Sequence, residues 1–275
     1  MEDEFASLQI NQTWELVPRP TEHNVIGCRW VYKVKRGEDG SISRFKARLV
    51  AQGYSQTQGV DYEEVFSPVA HKTTIRTLLS YANSYNFEIH QMDVKTAFLN
   101  GVLDCDLYME QPEGYIDSDR PDYVCKLNKG LYGLKQAARC WNERLDEYLK
   151  GSGYIKSSAD SCMYIKIRKN KIVIMAVYVD DIIPVSNDLS LLSDEKEAIC
   201  KEFDMVDNGE VSYILGMSIK RDREKRILSI SQPNYIKSVL TSFGMSDCKS
   251  VATPLESGVR YDKLSDDEER FDIQT

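Results

Sequence analysis

The chain has 275 residues, of which 42% are hydrophobic, with a net charge of −8 and seven cysteines. That composition supplies a full core for one large or two modest domains and excludes a disordered or fibrous chain. No apolar run approaches the length of a membrane span, and MEDEFASLQINQ opens acidic where a secretory signal is basic and then apolar. An intracellular chain of cytoplasm or nucleus, not secreted and with no membrane partner, is therefore expected. The cysteines are odd in number and form no CxxC pair, which fits neither a disulfide framework nor a zinc site. Reduced, largely buried thiols are expected.

The acidity is uneven. Residues 1–4 carry three acids and no base, and residues 256–275 carry seven acids against three bases, which leaves residues 5–255 at −1. A nearly neutral body can hold a basic groove for a nucleic-acid partner, and an acidic tail of this kind is expected to be disordered.

In chain order, NQTWELVPRP at positions 11–20 reads as a short polar and aromatic arm that its two prolines keep extended. From Arg29, apolar and basic residues alternate on both sides of Gly37-Glu38-Asp39-Gly40, a hairpin pattern. Period-two alternation puts Arg44, Lys46 and Arg48 on one face, either a rake for phosphates or an ordinary solvated face. Residues 74–84 read as a helix with Ile75, Leu78, Leu79 and Ala82 inward and Thr73 or Thr74 as N-cap. An apolar strand over Phe87, Ile89 and Met92 then ends at Asp93. Residues 108–123 read as surface loop, 131–150 as an amphipathic helix stopped at Gly151, and 189–203 as a further helix. Two strands, ILGMSIKR and RILSISQ, follow around the turn Asp222–Lys225, and Pro233 opens a last helix that ends at Gly244.

The stretch IVIMAVYVDDIIPVS, residues 172–186, reads as two strands meeting at a tight turn that carries Asp180 and Asp181. Two adjacent carboxylates in apolar surroundings repel and lose hydration, which favours a cation between them, and Mg²⁺ is the hard ion that one or two carboxylates hold together with substrate phosphates. Asp-Asp is equally ordinary turn chemistry. If the strand ending at Asp93 pairs with this hairpin, a third carboxylate joins the same sheet end.

The collinear blocks NQTWELVPRP, GCRWVYKVKR, RFKARLVAQGYSQ, VDYEEVFSPVA, HQMDVKTAFLNG, LYMEQPEGY, KLNKGLYGLKQAARCWN, YVDD, YILGMSI, SISQPNYI and FGMSDC resemble the reverse transcriptase domain of copia-type LTR retrotransposon Pol polyproteins, over nearly the whole chain. The resemblance implies an α+β right-hand polymerase with fingers, palm and partial thumb, its antiparallel palm sheet backed by helices. On that plan residues 1–24 are an N-terminal arm, 25–85 and 108–138 fingers, 86–107 and 139–220 palm, and 221–275 a partial thumb or connection with the acidic tail. It implies RNA- and DNA-directed DNA synthesis from dNTPs on a primed RNA or DNA template. Asp93, Asp180 and Asp181, with the Val94 backbone, would hold two Mg²⁺ ions, with Mn²⁺ as a substitute.

By the same resemblance Lys46 and Arg48 meet the triphosphate, Phe98 lies under the sugar and rejects a 2′-hydroxyl, and Gly133 and Lys135 support the nucleotide. Tyr178, Leu215, Gly216 and Met217 would touch primer and template. Three departures stand out. Val206 replaces a lysine usual in relatives; Pro184 interrupts a strand of the Asp-Asp hairpin, where proline is tolerated at an edge or bulge; and the chain stops at Thr275, before a connection and RNase H part. A truncated, catalytically inactive nucleic-acid-binding remnant is the alternative, and a two-metal nuclease a third reading that would leave the basic hairpin and Phe98 without a task. The residues do not define an oligomeric state.

Overall fold

The computed structural model describes residues 1–36 and 41–252. The expected turn Gly37–Gly40 and the acidic last twenty residues lie outside the described residues. The chain divides into two compact units, Met1–Ile230 and Ser231–Thr275.

The first unit opens with α1 (Glu2–Ile10), β1 (Trp14–Val17), β2 (Val25–Ile26), β3 (Cys28–Arg36) and β4 (Ile42–Ala51). Then come α2 (Lys72–Ser84), β5 (Glu88–Val94), β6 (Val102–Met109), β7 (Val124–Lys129) and α3 (Ala137–Gly151). Its second half holds β8 (Ile155–Lys156), β9 (Met163–Arg168), β10 (Lys171–Tyr178), β11 (Asp181–Ser186) and α4 (Leu189–Glu202). It closes with β12 (Met205–Glu210), β13 (Tyr213–Ile214), β14 (Met217–Asp222) and β15 (Ile227–Ser231), the last of which runs into the second unit.

The organising layer is a six-stranded sheet in the order β12-β5-β11-β10-β9-β8, antiparallel throughout. Both faces are covered, which is why its central strands read as continuous apolar runs and not as alternation. Val173, Met175, Val177 and Ile182 pack on one face with Trp141 and Leu145 of α3 and Leu192 and Ile199 of α4. Ile174, Ala176, Ile183 and Val185 pack on the other with Ile75, Leu78 and Leu79 of α2 and with Met217 and Ile219 of β14. A third core gathers Leu8 of α1, Leu49 and Ala51 of β4 and the sheet β1-β7-β6-β2.

Several expectations need correction. The N-terminal stretch is no arm: α1 buries Leu8 at 1% exposure, and β1 pairs in register with β7 from Trp14↔Leu127 to Val17↔Val124. The helix read from residue 131 begins at Ala137, because the left-handed φ of +94° at Gly133 keeps residues 131–136 out of a helix. Helix α2 starts at Lys72 with His71 extended before it, so neither Thr73 nor Thr74 caps it. Part of the expected loop 108–123 is strand, since β6 runs to Met109. Pro184 lies at neither edge nor bulge. It sits in central strand β11 opposite Met175, and the ladder to β5 skips Ile183 and Pro184 in unchanged register, resuming at Val185↔Ile89, so the missing N–H meets a gap in the ladder. All seven cysteines are free, as expected, but only Cys125, Cys140 and Cys162 are buried.

In the second unit Pro233 occupies the first turn of α5 (Pro233–Ser242), and Gly244, at φ +64°, follows its end. The apolar residues Tyr235, Ile236, Val239 and Phe243 of this segment stay exposed.

Candidate functional site

The site grows from one end of the six-stranded sheet. Strands β10 and β11 are joined by the two-residue turn Val179-Asp180, and Tyr178 pairs with Asp181 at its base. On the far side of β11, Asp181 stands directly opposite Asp93, so antiparallel register brings the strand-end aspartate to the hairpin as expected. The Val94 N–H donates to the Asp180 carbonyl at 2.9 Å and ties the end of β5 to the turn. Val206 of β12 pairs with Asp93 from the other side and is 40% exposed.

The turn is held under tension. Val179 takes φ +56°, at the first turn position where glycine is usual in hairpins. Its carbonyl accepts a 2.7 Å hydrogen bond from the indole N–H of Trp141, whose ring is buried beneath the sheet. Asp181 accepts a 3.1 Å hydrogen bond from the Gln91 amide. Burial pushes the Asp181 carboxyl up; Gln91 opposes this, and the negative charges of Asp180 and Asp93 add to it. Carboxylates so placed gain from an added cation, and their hard oxygens suit Mg²⁺. Among the described residues no three His, Cys, Asp or Glu side chains converge into a ready-made metal cage.

Facing this end is the β3–β4 hairpin. Its register sets Val31 opposite Arg48, Lys33 opposite Lys46 and Lys35 opposite Arg44, so Arg44, Lys46 and Arg48 share a face as the alternation predicts. Arg44, Lys46 and Arg48 line one open cleft with Asp93 and Asp180. Glu4 of α1 also reaches it. Burial pushes the Glu4 carboxyl up, against the opposing pull of Arg48, the Leu49 N–H and Lys46. Lys95 borders the same cleft, its Nζ 2.9 Å from Asp204.

Tyr132 closes the cleft wall. The Arg48 guanidinium lies 4.4 Å from its ring centroid, and Phe98 meets it edge-on with centroids 4.9 Å apart at 69°. Burial pushes the Tyr132 phenol up, so its hydroxyl keeps its proton.

The remaining expected residues lie apart from this cleft wall. Lys135 is engaged elsewhere: its Nζ donates to the Gln56 carbonyl and the Tyr62 hydroxyl, both at 3.1 Å, and sits over the Tyr62 ring. Gly133 works through its backbone. A Cβ there would come within 2.1 Å of the Ala51 carbonyl oxygen, so only glycine lets this loop dock on β4. Tyr178 packs against the core shared with α2. Leu215 and Gly216, both at positive φ, form the turn between β13 and β14 in a separate three-stranded sheet, with Met217 buried.

Sequence reading missed Glu4, Lys95 and Tyr132 as cleft residues and took Trp141 only as core. A buried tryptophan needs a partner for its N–H, which was the available signal.

The first unit is thus an α+β protein with Asp93 and Asp180 set across one cleft from Arg44, Lys46 and Arg48. Over residues 11–257 the chain matches the family described as reverse transcriptase (RNA-dependent DNA polymerase), and it belongs to that family. It is 45% identical over 264 residues to the retrovirus-related Pol polyprotein from transposon TNT 1-94 of Nicotiana tabacum, covering 96% of this chain and 20% of that one. It is 46% identical over 246 residues to the corresponding polyprotein from transposon RE1 of Arabidopsis thaliana, covering 89% of this chain and 17% of that one. The chain thus spans about a fifth of the length of these relatives. A telomerase structure from Candida albicans overlays with a TM-score of 0.40 and 11% identity, over 88% of this chain and 54% of that one, too slight a likeness to carry an argument. The expected resemblance to a reverse transcriptase domain of retrotransposon Pol polyproteins is borne out. No helix among the described residues is long and apolar enough to cross a membrane.

Proposed function

We propose that this chain is the nucleotidyl-transfer part of such a polyprotein, adding dNTPs to a primer 3′-hydroxyl on an RNA or a DNA template. The observation that carries the reading is the register Asp181↔Asp93 beside Asp180, at a sheet end that faces Lys46 and Arg48 across one cleft. In right-hand terms the β3–β4 hairpin serves as fingers, the six-stranded sheet as palm, and residues 221–252 as part of a thumb.

Asp93, Asp180 and Asp181, with the Val94 backbone, are the residues that would hold two Mg²⁺ ions, or Mn²⁺ in their place. Such ions, when bound, lower the pKa of the primer hydroxyl and neutralise charge on the leaving pyrophosphate. The chain's own residues position the reactants, which is the larger protein share of phosphoryl transfer. Lys46 and Arg48 bind the triphosphate. Phe98 sits under the sugar and rejects a 2′-hydroxyl by its bulk. Trp141 holds the turn that carries Asp180. Leu215, Gly216 and Met217 form the hairpin against which primer would lie.

A second reading is a nucleic-acid-binding relic without turnover, favoured by Val206 opposite Asp93, an apolar side chain that supplies no positive charge for the leaving group. Lys95 borders the same cleft and is placed to supply that charge once it leaves Asp204. The test is extension of a DNA primer on an RNA template with Mg²⁺, by the chain and by Asp180→Asn. Extension that the variant loses supports the polymerase; salt-sensitive primer–template binding by folded protein without extension supports the relic.

A further inference from the structure

We propose that Tyr132 is a positioning residue that couples the triphosphate-binding arm to the sugar-contacting ring, with Arg48 over its face and Phe98 against its edge. This rests on the polymerase reading given above. The two residues it joins belong to segments far apart in sequence: Arg48 to β4, and Phe98 to the short 3-10 turn Ala97–Asn100 after β5. An arginine side chain is a long, rotamer-rich arm, and its guanidinium stacks on aromatic faces when one is offered. Here the centroid distance of 4.4 Å places it on the Tyr132 ring, and a guanidinium N–H also reaches the Tyr132 hydroxyl, so the phenol holds the arm by face and by hydrogen bond.

The ring itself is fixed by backbone on both sides. The Tyr132 carbonyl accepts from the Ala51 N–H at 2.7 Å, which ties it to β4. Two residues earlier, the Gly130 N–H donates to the Gly101 carbonyl at 2.8 Å, which ties the same loop to the end of the turn bearing Phe98. Gly133 permits this approach, as described above. Tyr132 therefore fixes where Arg48 stands relative to Phe98: it sets the distance between the triphosphate contact and the surface under the sugar. A nucleotide held by the phosphates at the wrong distance would place its 2′ carbon away from the gate. Loss of both contacts should therefore weaken nucleotide binding and relax sugar discrimination together.

Three substitutions separate the contacts. Tyr132→Phe keeps face and edge. Tyr132→Leu keeps bulk against Phe98 but offers Arg48 no π face. Tyr132→Ala removes both. The readout is the dissociation constant for dNTP and for the matching rNTP, on a primer–template with a dideoxy-terminated primer and Mg²⁺, so that no turnover is needed. We expect Tyr132→Leu to weaken dNTP binding roughly fivefold to tenfold, the scale of a partly desolvated cation–π contact, with sugar discrimination retained. Tyr132→Ala should weaken it at least as much and lower the rNTP-to-dNTP ratio of constants about tenfold, while Tyr132→Phe, which gives up only the hydroxyl contact to Arg48, should fall between the native chain and Tyr132→Leu for dNTP with the ratio retained. Arg48→Ala should mask the effect of Tyr132→Leu in the double variant. An unchanged dNTP constant in Tyr132→Leu, which preserves packing if Tyr132→Ala does not fold, would overturn the assignment while leaving the polymerase reading intact. A native chain that binds primer–template but neither nucleotide would overturn the polymerase reading, and the assignment with it.

Discussion

The indole N–H of Trp141 donates to the carbonyl of Val179 across 2.7 Å, so a core residue of α3 pins the residue that precedes Asp180. Val179 is β-branched and sits at φ +56°, a conformation that costs on the order of 1–2 kcal/mol and persists only where the surroundings enforce it. The hydrogen bond and the buried ring are that enforcement. Trp141→Phe keeps an aromatic ring against Phe203 and Leu145 but gives up the N–H. It should cost about 1–2 kcal/mol in chemical denaturation, the worth of one buried hydrogen bond plus minor repacking. Primer extension should fall further than the folded fraction does, because Asp180 loses its fixed position. Activity that merely tracks the folded fraction would show that the turn needs no pin.

Asp181 offers a pH test. Its carboxyl is raised above the ordinary value of 3.8, first by burial, so the folded chain holds this proton more tightly than the unfolded chain does. Its contribution to stability is therefore full below the ordinary value and lost as pH rises through the raised folded value. Asp181→Asn removes that loss. In chelator, the variant should gain stability over the native chain as pH rises from about 4 to 7, and the gain should shrink when Mg²⁺ is added. Thermal unfolding across that range checks it. A difference between the two proteins that does not change with pH would contradict the reading of Asp181 as a strained carboxylate.

Gly133 tests the docking of the Tyr132 loop on β4. Its φ of +94° and the 2.1 Å that a Cβ would leave to the Ala51 oxygen make alanine incompatible on two counts. Gly133→Ala should destabilise the chain by more than about 2 kcal/mol, well beyond the alanine-for-glycine change at an ordinary site. Urea denaturation measures it. A neutral substitution would mean that the loop has room to shift, and that Arg48 and Phe98 are not held in one frame by it.

Much of this was legible in the residues, for local reasons. The Asp-Asp hairpin announces itself by apolar runs on both sides of a two-residue turn, and the basic face of β4 by strict alternation, since both signals travel a few residues. The meeting of Asp93 with Asp181 was conditional on strand pairing and became definite only with the register. Helix α1 escaped because its few apolar residues, Phe5 and Leu8 among them, make a weak stripe that burial against β4 and β6 completes. The β1–β7 pair escaped because its partners lie more than a hundred residues apart, and nothing in either strand names the other. Lys135 was assigned to the nucleotide because its block carries the family resemblance, yet its ammonium has nearer acceptors at Gln56 and Tyr62. Tyr132 stood in the same block unremarked, since its role depends on two contacts that only the folded chain assembles.

The most direct measurement is single-nucleotide incorporation on an RNA-templated DNA primer by the native chain, Asp93→Asn and Asp180→Asn, each at matched folded fraction and with primer–template binding measured alongside. If the two carboxylates that face Lys46 and Arg48 serve the chemistry, both variants should bind primer–template as the native chain does and incorporate at least about a thousandfold more slowly, a loss of roughly 4 kcal/mol in the transition state. Incorporation by either variant near the native rate would contradict the assignment of this cleft as the nucleotidyl-transfer site.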